Sequence, residues 1–167
     1  MPRITAEQAG GQNRCAFLDM LAQSEIGAEL LAHSDDGYDV LVGSTGRSPL
    51  LFDSYATHPD IYNARYRSTA AGRYQELYRN WIAYRPLLAL PDFGPVNQDR
   101  MALQQITEAR AMPLIDAGKL NAAISLCAHL WASLPGNDYD QHENDLSMLQ
   151  AAYLAAGGQL ADCEAKL

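Results

Sequence analysis

The chain has 167 residues, 48% hydrophobic and 19% charged, with a net charge of −8, and a single domain of that length buries roughly 68–70% of the surface its unfolded chain exposes. No run approaches the ~20 consecutive apolar residues of a membrane span, so stable membrane association is not expected. The acidic balance, with no basic stripe interleaved with aromatics, argues against nucleic-acid binding.

Residues 1–12 lack the apolar core of a secretory signal and end in the Gly10-Gly11 pair. They are expected as a flexible N-terminal arm ahead of one domain over 13–167, in a protein that stays in the cytoplasm of the cell that makes it. Phe17, Met20 and Leu21 then fall on one face of a helix that ends near Glu25. A carboxyl at that place can be partly buried beside a cleft. Burial disfavours the ionised form, so such a glutamic acid stays protonated near neutral pH and can donate to a leaving-group oxygen, as a glycosidase acid does.

Asp35-Asp36-Gly37 reads as a turn in which aspartates bond to nearby amides. Tyr38–Val42 is rich in β-formers, and Gly43–Gly46 is expected to turn it back toward Pro49–Phe52 as a hairpin. No Gly-Lys-Ser/Thr follows these glycines, so they are a turn and not a phosphate loop. A second helix is expected from near Gly72, carrying Leu77, Tyr78, Trp81 and Ile82 on one face until Pro86 and the Pro91–Pro95 loop break it. Further helices are expected near Asn97–Glu108, at Met112–Asp116, at Lys119–Ser133 and at Asp145–Ala156, the last closed by Gly157-Gly158.

Cys15, Cys127 and Cys163 are odd in number and lack Cys-x-x-Cys spacing, which speaks against a zinc site and a disulfide framework. Cys127 shares an apolar stripe with Leu120, Ile124 and Trp131 and reads as a small core residue. His33, His58, His129 and His142 show no paired ligand spacing. Neither a metal nor a cofactor is expected.

The segments Phe17–Glu25, Gly37–Gly43, Ser68–Gln75 (Ser-Thr-Ala-Ala-Gly-Arg-Tyr-Gln) and Trp131–Gly136, with Ala102–Ile106 and Pro113–Gly118, occur in one order over about Arg14 to Gly158. Together they resemble the bacteriophage lambda endolysin family. The resemblance implies an α+β, mainly helical, lysozyme-like fold with a small β-hairpin lobe and a larger helical lobe flanking a groove, Glu25 lying at their junction. It implies a lytic transglycosylase, which cleaves the bond from N-acetylmuramic acid to N-acetylglucosamine in peptidoglycan without adding water and leaves a 1,6-anhydromuramic acid end. Such an enzyme works as a monomer and reaches the periplasm and cell wall when a separate holin opens the membrane.

Carried over position by position, the resemblance makes Glu25 the single catalytic acid and then base. Groove residues must match hydroxyl and acetamido groups and cover sugar faces, and Tyr38, Tyr74, Gln75, Tyr139 and Gln141 supply those types. Asp39 is expected to border the groove, Gly72 to permit close approach of the backbone, and Ser68 to meet the sugar or to serve as a cap. Where the family has a polar, more basic loop, Ile26–Asp36 is apolar and then acidic. The net charge disfavours long-range attraction to an anionic wall, a penalty limited by screening over ~8 Å at physiological ionic strength.

Two alternatives belong beside this reading. A hydrolytic muramidase of the same fold would need a water-activating carboxylate, for which Asp39 is the candidate, although Asp39 and Thr45 lie farther from Glu25 than in the hydrolytic phage muramidases. A catalytically silent peptidoglycan-binding protein would keep the groove without turnover.

Overall fold

Helix α2 (Gln12–Ile26) runs through the middle of the molecule. In the computed structural model, which describes residues 1–136, 144–162 and 164, Cys15, Ala16, Phe17, Leu18, Met20, Leu21 and Ala22 of this helix are all buried. The expectation of one apolar face is therefore corrected: a helix that is hydrophobic nearly all round is one packed on every side. Around it stand α1 (Ala6–Ala9), α3 (Ala28–Ala32), α5 (Pro95–Glu108), α6 (Met112–Asp116) and α8 (Leu146–Ala155). The main core joins α2 to Ile115 of α6, to Leu120, Ala123, Ile124 and Cys127 of α7 (Leu120–Cys127), and to Leu149 and Tyr153 of α8. Cys127 is a core residue as read, and burial pushes its thiol up to about 12.

The first residues depart from the expected free arm. Thr5 and Gln8 form a capping box at the start of α1, which satisfies amide donors that the first turn leaves open. Ile4 is buried, and the Arg3 and Ile4 amides each donate to Asp99 Oδ2 at 2.8 Å. The segment is docked by a carboxylate from α5, a contact that local sequence cannot announce.

The small β region is a set of isolated antiparallel bridges. The expected hairpin is there: Val40 pairs with Leu51, and the Leu41 amide donates to the Leu50 carbonyl at 2.8 Å. Its tip lies later than the glycine cluster suggested, where Thr45 and Ser48 exchange hydrogen bonds of 3.2 and 3.0 Å. A third segment was not foreseen. Ala71 pairs with Leu41 on one side and with Glu76 on the other, so 71–76 is a tight turn and not the start of a helix.

The second long helix, α4 (Tyr78–Leu87), consequently begins six residues after Gly72 and contains Pro86 in its last turn. Trp81 is its buried residue, whereas Ile82 faces solvent, 54% exposed. Trp81 instead joins Phe52, Ala71, Leu90, Phe93 and Met101 in a second core that glues the β region to α5.

Helix α5 starts at Pro95, a residue suited to the first helical position. Helix α6 has the expected bounds. Helix α7 is shorter than expected because the chain leaves it after Cys127, and that departure carries Trp131 and Ser133 to the cleft described next. Among the described residues no helix is long and apolar enough to cross a membrane.

Candidate active site

An open cleft of about 580 Å³ lies between the β region and the helices. Its walls are Val40–Ser44, Ser68, Ala70 and Tyr66 on one side and His129–Ala132 on the other, and Glu25, Gln75, Glu76, Asn80 and Gln105 also line it.

Glu25 is the penultimate residue of α2 and is half-buried. Ser133 Oγ donates to Glu25 Oε1 at 2.5 Å. Since that uses the Ser133 proton, the 2.7 Å contact between the Ser24 and Ser133 hydroxyls has Ser24 as donor, and Ser24 Oγ in turn accepts from Asn144 Nδ2 at 2.9 Å. The result is a directed chain from Asn144 through Ser24 and Ser133 to the carboxyl. Burial raises the Glu25 pKa above the ordinary carboxylate value, and the Ser133 hydrogen bond opposes the rise. The group is thus both oriented and biased toward its protonated form.

Gln75 lines the cleft in a left-handed conformation, φ 49°, uncommon for a residue other than glycine. Its amide donates to the Gly72 carbonyl at 3.1 Å and its Nε2 to the same oxygen at 2.9 Å, which closes the 71–76 turn. Ser68 lines the cleft and also accepts the Ala70 amide at 3.1 Å, a local turn contact and not a helix cap, since α4 begins only at Tyr78. Gly72 is buried with φ +79°, and a Cβ there would come within 2.2 Å of Gln98 Oε1. The close approach that glycine permits is therefore to Gln98, not to a sugar.

Two expected groove residues, Tyr38 and Asp39, lie elsewhere, and Tyr74 borders the cleft only from within the core. Tyr38 and Tyr74 are fully buried and donate to Asp99 Oδ1 at 2.8 and 2.6 Å. Each hydroxyl finds its acceptor inside the protein, which lets the ring serve as core. Asp39 does not line the cleft; its Oδ1 accepts the Asp35 amide at 2.9 Å, a turn contact. Asp35 and Asp36 pair with Arg3 and with the buried Arg73. Tyr139 and Gln141 lie outside the described residues.

Sequence reasoning missed Ser133, Glu76 and the exposed Tyr66. Ser133 had a signal in the Trp131–Gly136 segment, but nothing local pairs it with a residue 108 positions away. Glu76 is 2% exposed; its Oε2 accepts from Gln105 Nε2 at 2.9 Å and from Asn80 Nδ2 at 3.2 Å, and its Oε1 has no partner among the described residues. Burial pushes its pKa up to about 7. Among the described residues no three or more His, Cys, Asp or Glu side chains gather as a metal site.

A mainly helical body with a small β region, split by a cleft that holds a half-buried glutamic acid, is a lysozyme-like fold. The structure superimposes on that of bacteriophage lambda lysozyme with a TM-score of 0.78, 43% identity and coverage of 96% of this chain and 100% of that one. It matches the same enzyme complexed with a chitohexasaccharide at a TM-score of 0.81, 44% identity and the same coverage. Residues 15–160 match the endolysin family model, and the chain belongs to that family. It is 46% identical to the endolysin of Escherichia phage P2 over 155 residues, 88% of this chain and 94% of that protein. Identity to the endolysin of Escherichia phage lambda is also 46%, over 156 residues, 90% of this chain and 95% of that protein.

Proposed function

We propose that this protein, an endolysin and so an enzyme of peptidoglycan degradation, is a lytic transglycosylase in which Glu25 is the single acid and base. The observation that carries this reading is the Glu25 carboxyl itself, half-buried in the cleft and held by Ser133 with its pKa raised. In the first step the protonated carboxyl gives its proton to the glycosidic oxygen, the bond to the anomeric carbon breaks, and the N-acetylglucosamine side leaves as an alcohol. Positive charge develops on the muramic acid ring beside the new carboxylate. The 6-hydroxyl of the same ring then attacks the anomeric carbon and passes its proton to Glu25, which restores the acid and leaves the 1,6-anhydro end. A positioned acid and base is typically worth ~10²–10⁴-fold, and groove binding supplies the remainder.

Gln75 and Ser68 are proposed to meet substrate hydroxyl or acetamido groups, and the half-exposed Tyr66 to cover a sugar face. The oligosaccharide complex of lambda lysozyme supports a glycan strand as the occupant of this cleft. We assign the protein a monomeric state and a route to the wall that depends on a separate holin.

The place of Asp39 in a turn, away from the cleft, favours transglycosylation over a water-activating aspartate. One observation favours the hydrolytic alternative, namely Glu76, a second carboxyl in the cleft lining. Mass spectrometry of muropeptides released from bare peptidoglycan separates the two. Fragments lighter by one water and ending in anhydromuramic acid are expected, and none with E25Q. Hydrated reducing ends would replace transglycosylation by hydrolysis.

A further inference from the structure

We infer that Glu76 is a positioning residue for Glu25: held by Asn80 and Gln105, with Oε1 buried and unpartnered among the described residues, it sets through its charge how far into alkaline pH Glu25 keeps a proton. This rests on the reading of Glu25 as the acid.

The geometry carries the inference. Glu76 and Glu25 line one cleft, the first delivered by the 71–76 turn and the second by the end of α2. The Glu76 backbone is clamped, its amide and carbonyl exchanging hydrogen bonds of 2.8 and 2.9 Å with Ala71. The neutral His58, whose Nδ1 accepts the Asp60 amide, donates from Nε2 to the same Glu76 carbonyl at 2.8 Å. Two amide N–H groups converge on Oε2, yet among the described residues no cation is bonded to the carboxyl. A fully buried carboxyl with one oxygen unpartnered is costly as an anion.

The cleft lining that holds Glu76 also carries Glu25 from α2, Arg79 from α4, Tyr66, Tyr74 from the turn and His129 beyond α7; Tyr84 of α4 feels the Glu76 charge, and α5 gives the uncharged Gln105. The Glu25 charge raises the Glu76 pKa. Electrostatic coupling is reciprocal, so an ionised Glu76 raises that of Glu25 in turn, and the two carboxyls titrate as a coupled pair. As Glu76 ionises near pH 7, its charge opposes the loss of the proton from Glu25 and stretches the acid form toward alkaline pH.

The test combines carboxyl-carbon NMR titration of the glutamate-labelled full chain with pH–rate profiles on purified peptidoglycan, for wild type, E25Q and E76Q. In E25Q the Glu76 midpoint is expected to fall by about half a pH unit or more, the size of effect a like charge in a shared cleft produces. In E76Q the rate, relative to that protein's own maximum, is expected to fall at lower pH and more steeply than in wild type. Superimposable Glu76 titrations in wild type and E25Q would overturn the inference, whether or not E76Q folds. So would superimposable relative pH profiles of wild type and E76Q. Retained lysis by E25Q would instead remove the acid role of Glu25, an outcome that the NMR coupling does not touch.

Discussion

Ser133 holds Glu25 from a segment that follows α7, with Ser24 and Asn144 behind it in one directed hydrogen-bond chain. The acid of α2 is thus oriented by a loop that could sit there only because α7 ends at Cys127. An arrangement of this kind holds a proton donor in one place while the cleft stays open to substrate.

Removing the acid should remove the activity. E25Q keeps the shape and the Ser133 contact but cannot exchange a proton, so turnover on peptidoglycan is expected to drop by about 10²-fold or more, with the circular dichroism spectrum and glycan binding retained.

S133A tests the orientation. Because the Ser133 hydrogen bond lowers the Glu25 pKa against the effect of burial, its loss is expected to move the alkaline limb of the pH–rate profile to higher pH. The maximal rate should fall about tenfold as the carboxyl loses its anchor. A profile that moved to lower pH would contradict the arrangement.

Stability should depend on pH through Glu76. Its pKa rises from the ordinary 4.5 to about 7 on folding. The folded state therefore holds a proton that the unfolded chain releases, and the stability this gives is complete below pH 4.5 and lost as pH rises through 7. E76Q removes that loss. It should stabilise the protein above pH 7 by up to about 3 kcal/mol relative to its effect in acid, read as a difference in urea midpoints at the two pH values.

Tyr74 and Gln75 are neighbours with opposite fates. Y74F leaves Asp99 Oδ1 short of a donor in the core and is expected to cost about 1–3 kcal/mol of stability with little effect on KM. Q75A and Y66A, by contrast, should raise KM with small changes in Tm, since both side chains line the cleft.

The acidic Ile26–Asp36 stretch also has its explanation in contacts. Asp36 neutralises the buried Arg73, Asp35 accepts from Tyr55 and pairs with Arg3, and none of these carboxylates lines the cleft.

Local pattern was enough for the helical body. The apolar run of α2, the bounds of α6, the turn before Tyr38 and the hairpin that brings 38–42 back to 49–52 all follow from side-chain periodicity and turn chemistry within a few residues, because those forces act within a few residues. The position of Glu25 at the end of an apolar helix was legible for the same reason. The direction of each polar side chain was not. A tyrosine suits a groove and a core equally until its hydroxyl meets an acceptor, and the acceptor for Tyr38 and Tyr74 is Asp99, distant in the chain. Ser133 and Glu25, Gln105 and Glu76, Gly72 and Gln98 are likewise pairs that only packing brings together. Hydrogen bonding and burial depend on what lies nearby in space, so which carboxyls keep their protons in this cleft was decided by the tertiary fold.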